Sequence, residues 1–309
     1  MMPAVSELTV SPRRGGKPRP HGVLACIRFD EVLVLQGTPV MGALFSMGAL
    51  TWATTLNIAI LAAGSFCLVA HVFVLNDWCA IHTDMRDPNR ADWVFTARGI
   101  RDRAAAYLCA LLLGVSLLLL ATQGAAPLWI ATSLAVLSTV YSGPWVAIKG
   151  VPLASSVLHF AAGVLHFLLG YSISHAVDLR GVAIGAFFAL TFCAGHLTHE
   201  ARDFRSDLLN GIRTNAVRFG PERTLAAGFL LFTAADALLA ILASLRLVPS
   251  ALVVVVAMYP VHLWWTMQTF RAGATFENIR RLQVRYRVFY AMLGGIMAVA
   301  LMSVAIFGR

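Results

Sequence analysis

Charge is what this chain has least of. Asp, Glu, Lys and Arg make up 13% of its 309 residues, about half the roughly 25% usual in a soluble domain. That is too little to cover a water-facing surface. Cysteine is sparse as well: Cys26, Cys67, Cys79, Cys109 and Cys193 are odd in number, form no CxxC pair and lie mostly in or beside apolar runs. They read as small buried apolar side chains, and a disulfide framework is excluded. Acid is scarcer than base, 15 residues against 24, for a net charge of +9. What fills the chain instead is apolar: 59% hydrophobic residues and a mean hydropathy of +0.75, the composition of a multi-pass membrane protein.

Residues 1–26 are rich in Pro, Gly and Arg and are expected to form a disordered basic tail. No small-residue cleavage site marks them as a signal peptide. Apolar runs then recur at about 32–50, 56–76, 104–122, 128–147, 153–173, 181–199, 225–245, 251–269 and 288–307. Each has about the 20 residues a helix needs to cross the hydrocarbon core. The expected fold is therefore an all-α membrane domain over 27–309 with nine transmembrane helices. The edges of the first and eighth are the least defined.

The bases are unevenly placed. With the amino terminus inside, 21 of the 24 fall in inner segments, leaving only Arg180, Arg246 and Arg309 outside. The positive-inside rule then puts the amino terminus in the cytoplasm, and nine crossings put the carboxyl terminus outside. In a bacterium the membrane would be the plasma membrane. Because this placement accounts for the net charge, no nucleic-acid partner is needed.

The few acids are clustered. Glu200, Asp203 and Asp207 stand at i, i+3 and i+7, which on a helix brings them to one face. Like charges so placed repel unless a cation sits among them. Magnesium suits the position, since it takes a few carboxylates, keeps waters and completes its shell with substrate phosphate. Arg202, Arg205 and Arg213 lie close by, and guanidinium groups suit phosphate oxygens. A solvated helix end would explain one such cluster, but there is a second copy. Shifted by 123 positions, Asn76, Asp77, Ala80 and Asp84 fall on His199, Glu200, Asp203 and Asp207. Both copies close an outward-to-inward span, so both emerge on the cytoplasmic side. Tyr141-Ser142-Gly143-Pro144 and Lys149 end the fourth span there too. Such a site suits an amphiphile with its tail in lipid and an anionic head at the interface. His199-Glu200 begins like a zinc HExxH motif, but the fifth residue is Asp203, and that reading fails.

These residues resemble the UbiA superfamily of intramembrane prenyltransferases. Asn76-Asp77-x-x-Ala80-x-x-x-Asp84 is similar to its NDxxDxxxD motif, and Glu200-x-x-Asp203-x-x-x-Asp207 to its DxxDxxxD motif. Gly211-Ile212-Arg213-Thr214, Val217-Arg218-Phe219-Gly220 and Tyr141-Ser142-x-Pro144 with Lys149 extend the likeness. The resemblance implies two pseudo-duplicated four-helix halves plus a ninth helix around a central cavity. It implies Mg2+-dependent ionisation of an isoprenyl diphosphate and capture of the carbocation by an acceptor, often aromatic. By position Asn76, Asp77 and Asp84 would serve one metal and Glu200, Asp203 and Asp207 the other, with Asp84, Asp203 and Asp207 central to catalysis. Lys149, Arg213, Tyr141 and Arg90 would hold diphosphate, with Arg98 as a further candidate.

Three departures stand out: Ala80 replaces an acid, Glu200 replaces Asp, and Ala91 stands where the family has Pro. Methyl cannot ligate, so the first metal site is weakened, completed by Asp87 or His82 (the carboxylate being the better ligand), or lost. A membrane terpene cyclase, needing no acceptor, is the alternative within the superfamily. A transporter is disfavoured, because transporter sites lie at the midplane and these acids lie at helix ends. Asp236, mid-span, is expected to be protonated or hydrogen-bonded rather than functional. His159 and His166 share a helix face, either lining the chamber or hydrogen-bonded in the core. Trp129, Trp264 and Trp265 are expected as interfacial anchors.

Overall fold

The computed structural model describes residues 27–85, 94–95, 100–146 and 148–307. The expected tail at 1–26, and Asp87, Arg90, Ala91 and Arg98, lie outside the described residues. In chain order the helices are α1 (Phe29–Leu35), α2 (Gly37–Ser46), α3 (Trp52–Cys79), α4 (Ile81–Asp84), α5 (Asp102–Ala121), α6 (Ala125–Ser142), α7 (Ala154–Tyr171), α8 (Leu179–Leu209), α9 (Asn215–Phe219), α10 (Pro221–Ser244), α11 (Val253–Val256), α12 (Tyr259–Ala272) and α13 (Phe276–Phe307).

Eight segments among the described residues are long and apolar enough to cross a membrane. They carry their apolar character outward: Leu111, Leu230 and Val299, each well inside a span, are 63%, 65% and 61% exposed. Exposed side chains of this kind within the spans require lipid, not water, around the bundle. The protein is an integral, multi-pass membrane protein.

The segment expected as the first span is not one helix. It divides at Gln36 into α1 and α2. Pro39 has no N–H to offer the Leu35 carbonyl, so the ladder cannot run through. Gln36 turns its side chain back instead, donating from Nε2 to the Val32 carbonyl at 2.9 Å. The eighth expected span is likewise interrupted: a turn at Ser250–Leu252, then α11, then α12 with Pro260 in its first turn. Trp129 and Trp264 are exposed as expected of anchors, but Trp265 packs edge-on to Phe289 with ring centroids 5.7 Å apart.

Two glycines set how closely α2 lies on α7. A Cβ on Gly170 would stand 1.7 Å from the Pro39 carbonyl oxygen, and one on Gly42 would stand 2.8 Å from the Tyr171 amide nitrogen. The obstacles are backbone atoms, so the helices themselves would have to separate. Gly170→Ala is expected to destabilise by about 1–3 kcal/mol or more. Gly195→Ala on α8, where nothing lies within 4 Å, serves as the control. Thermal unfolding in detergent reads the difference; equal midpoints would contradict the close crossing.

Hydrogen bonds sort the helix ends into two levels. At one, Asp178 caps α8 by accepting from the Gly181 N–H at 2.7 Å, which holds its carboxyl below the usual range. Arg180 donates there to the Leu247 carbonyl at 2.9 Å. The ends of α3, α6 and α8 and the starts of α7 and α13 meet at the opposite level, which carries the acidic motifs.

Candidate active site

The second motif is helical throughout. α8 continues ten residues beyond the expected 199, to Leu209, so Glu200, Asp203 and Asp207 share a face as their spacing predicts. Gly211, at φ +69, closes the helix. The Ile212 N–H donates to the Asp207 carbonyl at 2.9 Å and the Gly211 N–H to the Leu208 carbonyl at 3.2 Å, a Schellman ending. This turn sends the chain back past the acids and presents Arg213.

The first motif differs. α3 ends at Cys79, Ala80 is its cap, and Asp84 closes the separate four-residue α4. Thr83 donates from Oγ1 to the Ala80 carbonyl at 2.8 Å, a local bond that competes with the helical ladder. Asp77 and Asp84 therefore sit on different helices.

The connection between motifs runs through the end of α6. Ser142 Oγ donates to Asn76 Oδ1 at 3.3 Å. Its neighbour Tyr141 presents its ring edge-on to His159, centroids 4.8 Å apart, and more distantly to His196 at 6.5 Å. His159 and His196 stack at 3.6 Å, and His196 Nε2 lies 3.1 Å from Glu200 Oε1. Asn76, Tyr141 and Glu200, 124 positions apart at the extremes, thus belong to one contiguous cluster at one end of the bundle.

Each acid has its own surroundings. Glu200 is buried, and its oxygens accept from the Asn215 backbone N–H at 3.0 Å, Asn215 Nδ2 at 2.8 Å and Ser155 Oγ at 3.4 Å. Asn215 also accepts from the Leu153 N–H at 2.8 Å. Glu200, expected as a metal ligand, is therefore the hub that ties α7 and α9 to α8. Asp203 accepts two bonds from Arg202, at 2.7 and 2.9 Å, and Arg202 donates onward to Gln283 at 2.8 Å. Asp207 is buried. Asp77 accepts two bonds from Arg28.

Of the expected diphosphate ligands, Tyr141 sits in the cluster around Glu200, and the turns bearing Lys149 and Arg213 lie side by side. Lys149 sits in a 3-10 turn at Ile148–Gly150, and a Cβ on Gly150 would lie 3.9 Å from the Arg213 amide nitrogen. Pro152, Arg213, Val217 and Arg218 line a pocket of about 470 Å3. Arg90 is outside the described residues. His166 bonds Ser65 across to α3, Nε2 to Oγ at 3.2 Å, while Asp236 lies mid-α10, far along the helix from this end. Arg28, Ser155, His196 and Asn215 were not expected. His196 carried a faint signal, one turn before Glu200; Arg28 carried none.

Among the described residues no three His, Cys, Asp or Glu side chains converge on a metal-sized point. A closed protein cage is absent there. Magnesium does not need one, since one or two carboxylates plus substrate phosphate suffice. Asp203 and Asp207, one turn apart, offer that donor set. At the first motif the set is poorer by one acid, a methyl standing at position 80; a guanidinium pairs with Asp77 there as one pairs with Asp203 in the second motif.

The model of the UbiA prenyltransferase family matches residues 37–293. The chain belongs to this family. No curated protein sequence matches it significantly. Among solved structures, a UbiA homolog from Archaeoglobus fulgidus bound to DMAPP and Mg2+ superposes with a TM-score of 0.69 at 19% identity, covering 91% of this chain and 99% of that one. The apo UbiA homolog from Aeropyrum pernix K1 gives 0.71 at 18% identity, covering 89% and 99%. A digeranylgeranylglyceryl phosphate synthase gives 0.67 at 17%, covering 91% and 97%. The UbiA fold thus extends over nearly the whole chain.

Proposed function

We propose that this UbiA-family protein transfers an isoprenyl group from an allylic diphosphate to an electron-rich acceptor such as a phenol, within the membrane. The observation that carries the reading is the joining of both acidic motifs by Tyr141 and Ser142 at one end of the bundle, beside a basic pocket. Solved relatives bound to DMAPP and Mg2+, and to GPP and Mg2+, support the substrate class.

In this reading Asp203 and Asp207 would hold magnesium, and Lys149 and Arg213 would receive phosphate charge. The chemistry such an ion would supply is positive charge to offset the negative charge developing on the leaving diphosphate. The allylic C–O bond breaks and its electron pair departs with the diphosphate. An acceptor carbon then donates a pair to the allylic carbon, and its proton is lost. Tyr141, His159 and His196 wall the reacting end with rings and keep water from the cation. Asp84 and Asn76 contribute from the first motif, and Arg90 remains a further candidate for diphosphate. The isoprenyl tail extends into lipid-facing space between the helices.

The arrangement also supports two related four-helix halves, one from α1/α2 to α6 and one from α7 to α12, with α13 as the ninth crossing. Read so, α1 and α2 together make the first crossing. Both motifs then close the second helix of their half on the cytoplasmic side, with the amino terminus inside and the carboxyl terminus outside.

The test is to incubate purified protein with Mg2+ and allylic diphosphates of five to twenty carbons, with and without phenolic acceptors. Diphosphate release that depends on acceptor, with a prenylated product, is the expected result. Release with a cyclic hydrocarbon and no acceptor would make it a terpene cyclase. No release under any pairing would overturn the enzymatic reading.

A further inference from the structure

The amino-terminal approach to the bundle brings a cation to the first acidic motif. Arg28 lies at the start of α1, and its guanidinium grips Asp77 through two bonds, Nε to Oδ2 at 3.0 Å and Nη2 to Oδ1. Nη1 donates to Glu31 at 3.3 Å, and the group lies over the Phe73 ring at 5.3 Å. α1 is itself anchored on α3: Val32 is fully buried among Val69, Ala70 and Val74, and Phe29 packs on Phe66 at 5.4 Å. Arg28 is therefore held in place and is not a loose surface side chain. Burial opposes its charge, but Asp77 and Glu31 outweigh that cost and hold the proton more firmly than usual.

The same motif has lost one acid of its set, leaving Asp77 and Asp84. Position 80 carries a methyl group on a residue 9% exposed, so no acid can reach in from it. Asn76 Oδ1 accepts from Ser142 and keeps one lone pair. A planar guanidinium paired side-on with a carboxylate is a permanent, well-oriented positive charge. Of its five N–H groups, three are used on Asp77 and Glu31, leaving two for a phosphate oxygen.

We propose that Arg28 replaces the metal ion of the first motif, so that this chain binds its diphosphate with one divalent ion, at Asp203 and Asp207, and a fixed guanidinium at Asp77. This rests on the reading of the protein as a magnesium-dependent prenyl transferase. Ala80 and Arg28 are then paired changes: loss of a ligand at one position, and supply of the missing charge from another.

The number of ions tests it without reference to turnover. Full-length protein in nanodiscs, saturated with a non-cleavable thiolo-diphosphate analogue of an allylic substrate, is titrated with Mn2+ and the bound ions are counted by electron paramagnetic resonance. One ion per chain is expected, unchanged in Asp77→Asn and lost in Asp207→Asn. Arg28→Gln combined with Ala80→Asp is expected to bind two. In turnover, Arg28→Gln should raise KM for the diphosphate on the order of tenfold to a hundredfold, with Arg28→Lys recovering part of the loss. Two ions in the unaltered protein, or loss of an ion in Asp77→Asn, would overturn the proposal while leaving prenyl transfer intact. No bound ion together with no binding of the analogue would overturn both.

Discussion

Asp207→Asn should lower turnover by at least two to three orders of magnitude, the loss typical when one charge-stabilising group is removed from a reacting centre. The substitution keeps the size of a buried side chain and removes only its negative charge, so folding should survive. Asp203→Asn should lose a comparable amount, but Asp203 also anchors Arg202, which makes Asp207 the cleaner probe. Initial rates at saturating magnesium and diphosphate decide the matter, with thermal unfolding as the check on integrity. An Asp207→Asn protein within about threefold of the parent, set against that expectation, would remove α8 from the metal-binding role.

Glu200→Ala should be damaging for a different reason. It leaves the Asn215 backbone N–H, the Asn215 amide and Ser155 facing an empty, buried space. Each buried donor left unsatisfied costs about 1–3 kcal/mol. The same network carries the Leu153 N–H through Asn215, so the turn bearing Lys149 and the loop bearing Arg213 should loosen together. A marked drop in the unfolding temperature is expected even in chelator-treated, metal-free protein. Glu200→Gln, which retains an accepting oxygen, should recover much of that stability. If Glu200 acted only as a metal ligand, metal-free Glu200→Ala would unfold at the parental temperature.

The sequence spacing of Glu200, Asp203 and Asp207 carried over directly, because an uninterrupted helix leaves only one way to place i, i+3 and i+7. The offset of 123 positions put both motifs toward the carboxyl-terminal end of a long helix, α3 and α8. It did not reveal that Ala80 interrupts the helix between Asp77 and Asp84. The span expected at 251–269 is present as Ser250–Ala272, but Pro260 interrupts its helix as Pro39 does that of 32–50, residues visible in the sequence but outweighed by the apolar character around them. Glu200 was read as one more ligand of its row, since its row is all that spacing can show. Its neighbours Ser155 and Asn215 come from 45 positions before and 15 after. Arg28 and Asp77 lie 49 positions apart, Arg28 just past the expected basic tail. Pairings of that range belong to tertiary structure.

The most direct measurement is a structure of the protein with the thiolo-diphosphate analogue and Mn2+, with the ions located by anomalous scattering. The expected result is one diphosphate at the shared end of the bundle, with manganese between it and Asp203 and Asp207 and with Arg213 and Arg28 on its remaining oxygens. A diphosphate bound anywhere else, or Asp84 and Asp207 lying too far apart to flank the same group, would contradict it.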